Sequence, residues 1–368
     1  MRHTPPQKII IVGAGIVGAS LAYHLARKGV STTVVEAEDI ASGVTGRTFG
    51  WINTSRTGPD PIRALRSAAI HEYRRLEAEL PELQVQWTGA LTYGEAAAPG
   101  LQTTASMATA NMVTRAQILA LEPGLRHPPH QAWYAPEDGA LDAVKAAHAL
   151  IAGAQAHGAK LLTRTPVLGL MAQGTQITGV ETSAGMLEAD LVVLAAGTGI
   201  AKLVERFHMP LPIEASPAIF IRYRPRPKLL HTIVSGPTME VRQATDGVLL
   251  AAEDYVSDSA EDQPAAVAQR TARAIEDGLQ EAAPVEPEWS CIGLRPIPRD
   301  GLPIIGYPPQ VAGLYVCTMH PGVTLAAVVG RLASEEIVDG QQDPALAPCR
   351  PERFLAPHSE SLPVHASV

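Results

Sequence analysis

Three glycines and one acid carry the first recognisable chemistry. Gly13, Gly15 and Gly18 stand in the run Gly-Ala-Gly-Ile-Val-Gly, and Glu36 follows 18 residues after the last of them. A residue without Cβ at Gly13 permits a tight turn, Gly15 lets a pyrophosphate approach the backbone, and Gly18 lets a helix pack closely on a sheet. The N–H groups at the start of that helix, around Ile16 and Val17, are then free to receive phosphate oxygens. An acid at Glu36 suits a ribose 2′-hydroxyl and disfavours the 2′-phosphate of NADP, which leaves NAD or FAD.

These residues work only if flanking elements hold them. Ile9-Ile10-Ile11-Val12 reads as a buried strand, Ala19 to Lys28 as a helix and Thr32-Thr33-Val34-Val35 as a second strand ending on Glu36. Lys8 ahead of an apolar run imitates a secretory signal. Three glycines followed by Tyr23, His24, Arg27 and Lys28 break the apolar stretch such a signal needs, so a mature cytosolic N-terminus is expected.

The chain has 368 residues, enough for two compact units, and 46% of them are hydrophobic. Three cysteines, Cys291, Cys317 and Cys349, suggest neither a disulfide framework nor a metal site, and fit a reducing cytoplasm. A net charge of −8 without a basic run argues against nucleic acid or anionic membrane as the partner. No apolar run approaches the ~18 residues of a membrane span. Whether the chain forms a homo-oligomer is not legible.

Further along, Ser42 to Trp51 is glycine-rich and follows the ribose-binding strand, which predicts a loop beside the cofactor that includes Arg47 and Thr48. Arg63 to Leu80 is an amphipathic helix, Leu83 to Tyr93 is read as strands, and Asp142 caps a helix reaching His157. Val167 to Glu181 and Gly185 to Asp190 form a small ribbon. Leu191 to Gly199 reads as a strand buried on both faces, passing into Ala196 and Gly197. Pro210 to Asp258 has strand character broken by prolines, Asp262 to Ala283 is a helix, and Gly322 to Asp339 is a final helix. The result is an α/β (mixed α+β) chain with interleaved domains: 1–80, 140–205 and 290–345 bind the cofactor, 81–139 and 206–289 bind substrate, and 346–368 form a peripheral tail.

With the first unit, Leu191 to Gly199, Gly293-Leu294-Arg295-Pro296 through Gly306, and Gly313 through Ala326 in view, the chain resembles the D-amino-acid-oxidase superfamily of FAD enzymes, nearest its glycine oxidase and sarcosine oxidase branch. The resemblance implies a Rossmann-like FAD domain, with substrate held against the flavin by a mixed, largely antiparallel sheet. It implies that Arg295 holds a substrate carboxylate, that Arg242 adds a second anion contact, and that His320 touches flavin or substrate. Val167 would meet the adenine, and Gly322, Val323 and Thr324 would open a helix aimed at the flavin. Some sarcosine oxidases attach FAD through a cysteine where this chain has Gly293, so FAD is expected to be non-covalent. The closing motif Met319-His320-Pro321-Gly322 lacks the arginine that glycine oxidases tend to carry, which points away from glycine itself as the best substrate. The implied reaction is hydride loss from a small carboxylated amine with O₂ as acceptor. A quinone-linked dehydrogenase and a flavin protein without turnover remain as alternatives.

Overall fold

The structure, a computed structural model, describes residues 5–54, 60–94 and 110–355. The chain opens as β1 (Lys8–Val12), α1 (Ile16–Arg27), β2 (Ser31–Val35), β3 (Trp51–Ile52), α2 (Arg63–Glu79), β4 (Ala90–Thr92), β5 (Asn111–Thr114), α3 (Arg115–Leu121) and β6 (Gln131–Ala135). It continues as β7 (Gly139–Ala140), α4 (Ala143–Ala156), β8 (Lys160–Leu162), β9 (Val167–Gln173), β10 (Gln176–Thr182), β11 (Gly185–Glu188), β12 (Leu191–Leu194), α5 (Ile200–Val204) and β13 (Ile213–Tyr223). The last part is β14 (Ile233–Ser235), β15 (Glu240–Gln243), β16 (Leu249–Asp254), α6 (Pro264–Gly278), β17 (Pro287–Pro298), β18 (Ile304–Gly306), β19 (Leu314–Thr318) and α7 (Gly322–Asp339).

Two large sheets result. The first has the order β18-β19-β12-β1-β2-β8. Its β1, β2, β8, β12 and β19 run parallel, and β1 is buried on both faces as its unbroken apolar run requires. One face packs on α1, α2, α4 and α7, and the other on the ribbon β9–β11 and α5. The second sheet, β17-β13-β16-β15-β14-β4-β6-β5, is largely antiparallel. Alternation sorts its residues: Ile219, Ile221, Val241, Leu249 and Ala251 join the core formed with α6, so Phe220, Arg222, Glu240, Arg242 and Leu250 face the other way. That other face meets the loop around Phe49.

Several expectations need correction. Pro217 does not end its strand. It lies inside β13, beyond the last residue paired with β16, where only β17 lies alongside, so its missing N–H leaves the β16 ladder intact. Within Leu83 to Tyr93 only Ala90–Thr92 is a strand. The helix expected over Asp262 to Ala283 is shorter, Pro264–Gly278, because Pro264 presets its first turn and Gly278 ends it. The expected boundary at 290 falls inside β17, which belongs to the second sheet until Pro298.

The tail is not peripheral where it is described. Pro344–Cys349 and Pro351–Phe354 form 3-10 turns that bury Leu346 and Cys349. Arg350 donates to Glu336 at 2.7 Å, and Tyr315 donates to the same oxygen at 2.7 Å. Glu336 is 3% exposed, so Glu336→Ala strands a largely buried guanidinium. It should lower unfolding free energy by about 3 kcal/mol, read from denaturant midpoints. Among the described residues no helix is long and apolar enough to cross a membrane.

Candidate active site

The glycine turn has the geometry of a phosphate cradle. Gly13 sits at φ +107°, and a Cβ there would lie 2.7 Å from the Ala195 carbonyl oxygen. A Cβ on Gly18 would lie 2.0 Å from the Gly13 oxygen, whereas one on Gly15 would meet only Thr45 Oγ1, at 3.1 Å. Gly15 therefore opens onto space. Gly15 caps α1 without any side-chain hydrogen bond, and the Ile16 N–H donates to Thr45 Oγ1 at 3.1 Å. Glu36 is fixed against this turn, accepting from Ala14 N at 2.7 Å and Glu38 N at 3.0 Å. The chain leading into the ribbon passes beside it: Thr165 N donates to the Glu36 carbonyl, and Val167 then opens β9.

The other expected cofactor contacts lie on neighbouring elements. Gly197 follows Ala196 at the end of β12, at φ +54°, with Pro296 3.8 Å from where its Cβ would be. Gly322 opens α7 3.6 Å from Val17 on the same measure. Two residues there already have protein partners. The Val323 carbonyl accepts from Tyr73, and the Thr324 hydroxyl donates to the Trp51 carbonyl and accepts from Asn53 N, each at 3.3 Å. What α7 offers a cofactor is thus its N-terminal end more than the Thr324 side chain. His320 is exposed just before that end.

Across the crevice, β17 brings Gly293 against the loop holding Arg47: a Cβ there would be 2.9 Å from the Arg47 carbonyl oxygen. Thr48 follows, its hydroxyl accepting from Gly50 N at 3.4 Å. Arg295 shares the Gly293 face. Its Nη2 donates to Ser216 Oγ at 3.0 Å and to the Pro217 carbonyl at 3.3 Å, with Asp254 4.0 Å away. Its Nε is buried and has no hydrogen-bond partner among the described residues. A buried donor without an acceptor costs about 1–3 kcal/mol.

Arg242 is not brought to the same spot. It stands opposite Leu250, Leu250 opposite Arg222 and Arg222 opposite Trp289, and Trp289 precedes Arg295 by six residues. At about 3.3 Å per residue the two arginines are rooted about 20 Å apart along the strands. Arg242 instead donates from Nε to the Phe49 carbonyl at 2.6 Å and from Nη2 to the Leu141 carbonyl at 3.1 Å. Burial lowers its pKa to about 10. Its role in this geometry is to tie the cofactor loop to the second sheet.

Two further acids, which no sequence motif marks, take their acidity from the fold. Glu240 lies opposite Ser235, whose hydroxyl donates to it at 3.2 Å. Burial, with Glu253 and Asp254 nearby, raises its pKa to about 7 against the opposing pull of Arg295. Asp138, fully buried, accepts from Trp51 Nε1 at 3.0 Å and from Thr54 N and Oγ1 at 3.2 Å, which fixes the chain around β3.

Burial raises Asp138 to about 6 from an ordinary 3.8. Because the folded form holds its proton more tightly, the associated stability is fully present below the unfolded value and is lost as pH rises through about 6. A shift of this size corresponds to about 3 kcal/mol. Asp138→Asn should flatten the dependence of Tm on pH between about 4 and 6, where the parent's Tm should decline.

A family profile described as FAD dependent oxidoreductase matches residues 8–336. The chain belongs to that family. Its cofactor is FAD, and the cradle, Glu36 and the open space at Gly15 fit the dinucleotide. Among curated relatives, the bifunctional protein ThiO/ThiG of Trichormus variabilis is 26% identical over 94% of this chain; the chain spans about half, 55%, of that protein. A glycine oxidase of Pseudomonas aeruginosa is 26% identical, over 92% of this chain and 97% of its own length. The crystal structure of L-proline dehydrogenase from P. horikoshii superposes with a TM-score of 0.83 at 21% identity, covering 96% of this chain and 99% of that one. Within the family it is the glycine oxidase-like branch that the chain resembles.

Proposed function

We propose that this FAD-dependent oxidoreductase oxidises the C–N bond of a small amino acid or an N-substituted glycine. The observation that carries the reading is Arg295, with a buried, unpartnered Nε on the sheet face beside the crevice. A guanidinium fork receives a carboxylate through two parallel charge-assisted bonds. That would fix the substrate's α-carbon relative to the cofactor. FAD, when bound, supplies the two-electron acceptor. The substrate becomes an imine, which water hydrolyses, giving glyoxylate and an amine where the substrate is an N-substituted glycine. O₂ takes the electrons and leaves as H₂O₂. Three free cysteines agree with a cytoplasmic setting.

The test is the absorbance spectrum of the purified protein before and after anaerobic addition of glycine, sarcosine, D-amino acids and longer N-alkylglycines. Bleaching by one class and stoichiometric H₂O₂ on readmitting air support the reading. Bleaching by proline or a 2-hydroxy acid, with slow return in O₂ and rapid return with a quinone, would replace it with a dehydrogenase.

A further inference from the structure

We propose that Glu240 grips the amine end of the substrate and accepts its proton, so that Arg295 and Glu240 hold a zwitterion from its two ends. This rests on the C–N oxidation proposed above and assigns a residue to a step that reading leaves open.

Val241 enters the helix-side core, so Glu240, one residue earlier, points to the opposite face, the face of Gly293 and Arg295. One of its oxygens, Oε2, accepts from Ser235 Oγ at 3.2 Å. The other has no hydrogen-bond partner among the described residues. The charged groups that act on it are Glu253 and Asp254 from β16 and Arg295 from β17, while Ser235 faces it from β14. Glu240 is partly buried, and among the described residues one hydroxyl is its only hydrogen-bonding partner, so its second oxygen is open to a cation. Arg295 is near enough to act on it electrostatically but is itself hydrogen-bonded to Ser216 and Pro217. An ammonium placed between the two would meet both needs, with its own carboxylate on the Arg295 Nε side.

The proton step balances simply. The substrate's ammonium N–H bond breaks, the proton moves to Glu240 Oε1, and the electron pair stays on nitrogen. Nothing is oxidised in this step. The lone pair it leaves is what hydride loss from the adjacent C–H requires. A carboxyl near 7 is a closer match to an amine than an ordinary one near 4.5, which eases the transfer.

The experiment is anaerobic flavin reduction by the best amine, followed from pH 6 to 10 in the parent and in Glu240→Gln holoenzyme. The parent's second-order rate should rise through about 7 and level off. The variant should be slower by about 10²-fold at neutral pH, and the deficit should close as the amine deprotonates in solution. Ser235→Ala, which removes the hydroxyl bond favouring the carboxylate, should move the parent's rise to higher pH. A deficit of constant size at every pH, or an unmoved rise in Ser235→Ala, would overturn the assignment and reduce Glu240 to a packing residue. A parent protein whose flavin no amine bleaches would remove the proposed function, and this step with it.

Discussion

Replacing Arg295 with alanine should lower kcat/KM for a carboxylated amine by about 10²–10⁴-fold, because two charge-assisted bonds contribute about 1.5–3 kcal/mol each. FAD should remain bound with an unchanged spectrum, since the cradle lies on other elements. Arg295→Lys keeps the charge but loses the fork, so it should recover part of the rate at best. Both acceptors that Arg295 uses within the protein, Ser216 Oγ and the Pro217 carbonyl, are served by Nη2, and Nε has no partner among the described residues. Kinetics unchanged in Arg295→Ala would take the residue out of the site and leave the carboxylate without an anchor.

Gly15→Val should yield a folded, colourless protein. A Cβ at Gly15 meets only the Thr45 hydroxyl, so the apoprotein can accept the added side chain, yet the new atoms fill the space where the pyrophosphate must lie. Gly18→Ala behaves differently. Its Cβ would collide with the Gly13 carbonyl oxygen at 2.0 Å, backbone against helix, so it should lower Tm even when no cofactor is present. The apparent stability of the parent includes the contribution of bound FAD, about 4 kcal/mol at a thousandfold excess over Kd. The comparison therefore has to be made on apoproteins. A yellow Gly15→Val protein would mean that the dinucleotide does not cross at Gly15.

Local sequence carried the nucleotide unit well, because turn, helix start and acid all lie between Gly13 and Glu36 and each has its own backbone requirement. The arginine of the Gly293-Leu294-Arg295-Pro296 run was readable as a motif. Arg242 was not. Its partners Phe49 and Leu141 are 193 and 101 residues away in sequence, and nothing near Arg242 announces them. Glu240 and Asp138 were silent for the same reason: burial and strand pairing across the sheet, not neighbours in the chain, set their acidity. Pro217 misled because a proline's cost depends on whether a partner strand lies on its N–H side, which the register decides.

β17 also works as a ruler. It pairs with β13 from Pro287 to Pro298, and within that span it presents Gly293 to the Arg47 loop, Arg295 to Ser216 and Pro296 to Gly197. Side chains alternate, so displacing the strand by a single residue would turn Arg295 to the opposite face, where Leu294 now lies half exposed, and set Leu294 in its place. Insertions or deletions of one residue between Pro287 and Gly293 should therefore abolish substrate recognition while leaving the dinucleotide cradle whole. Change in this region has to proceed by substitution or in steps of two, and diversity of length is confined to the connections outside the paired strands.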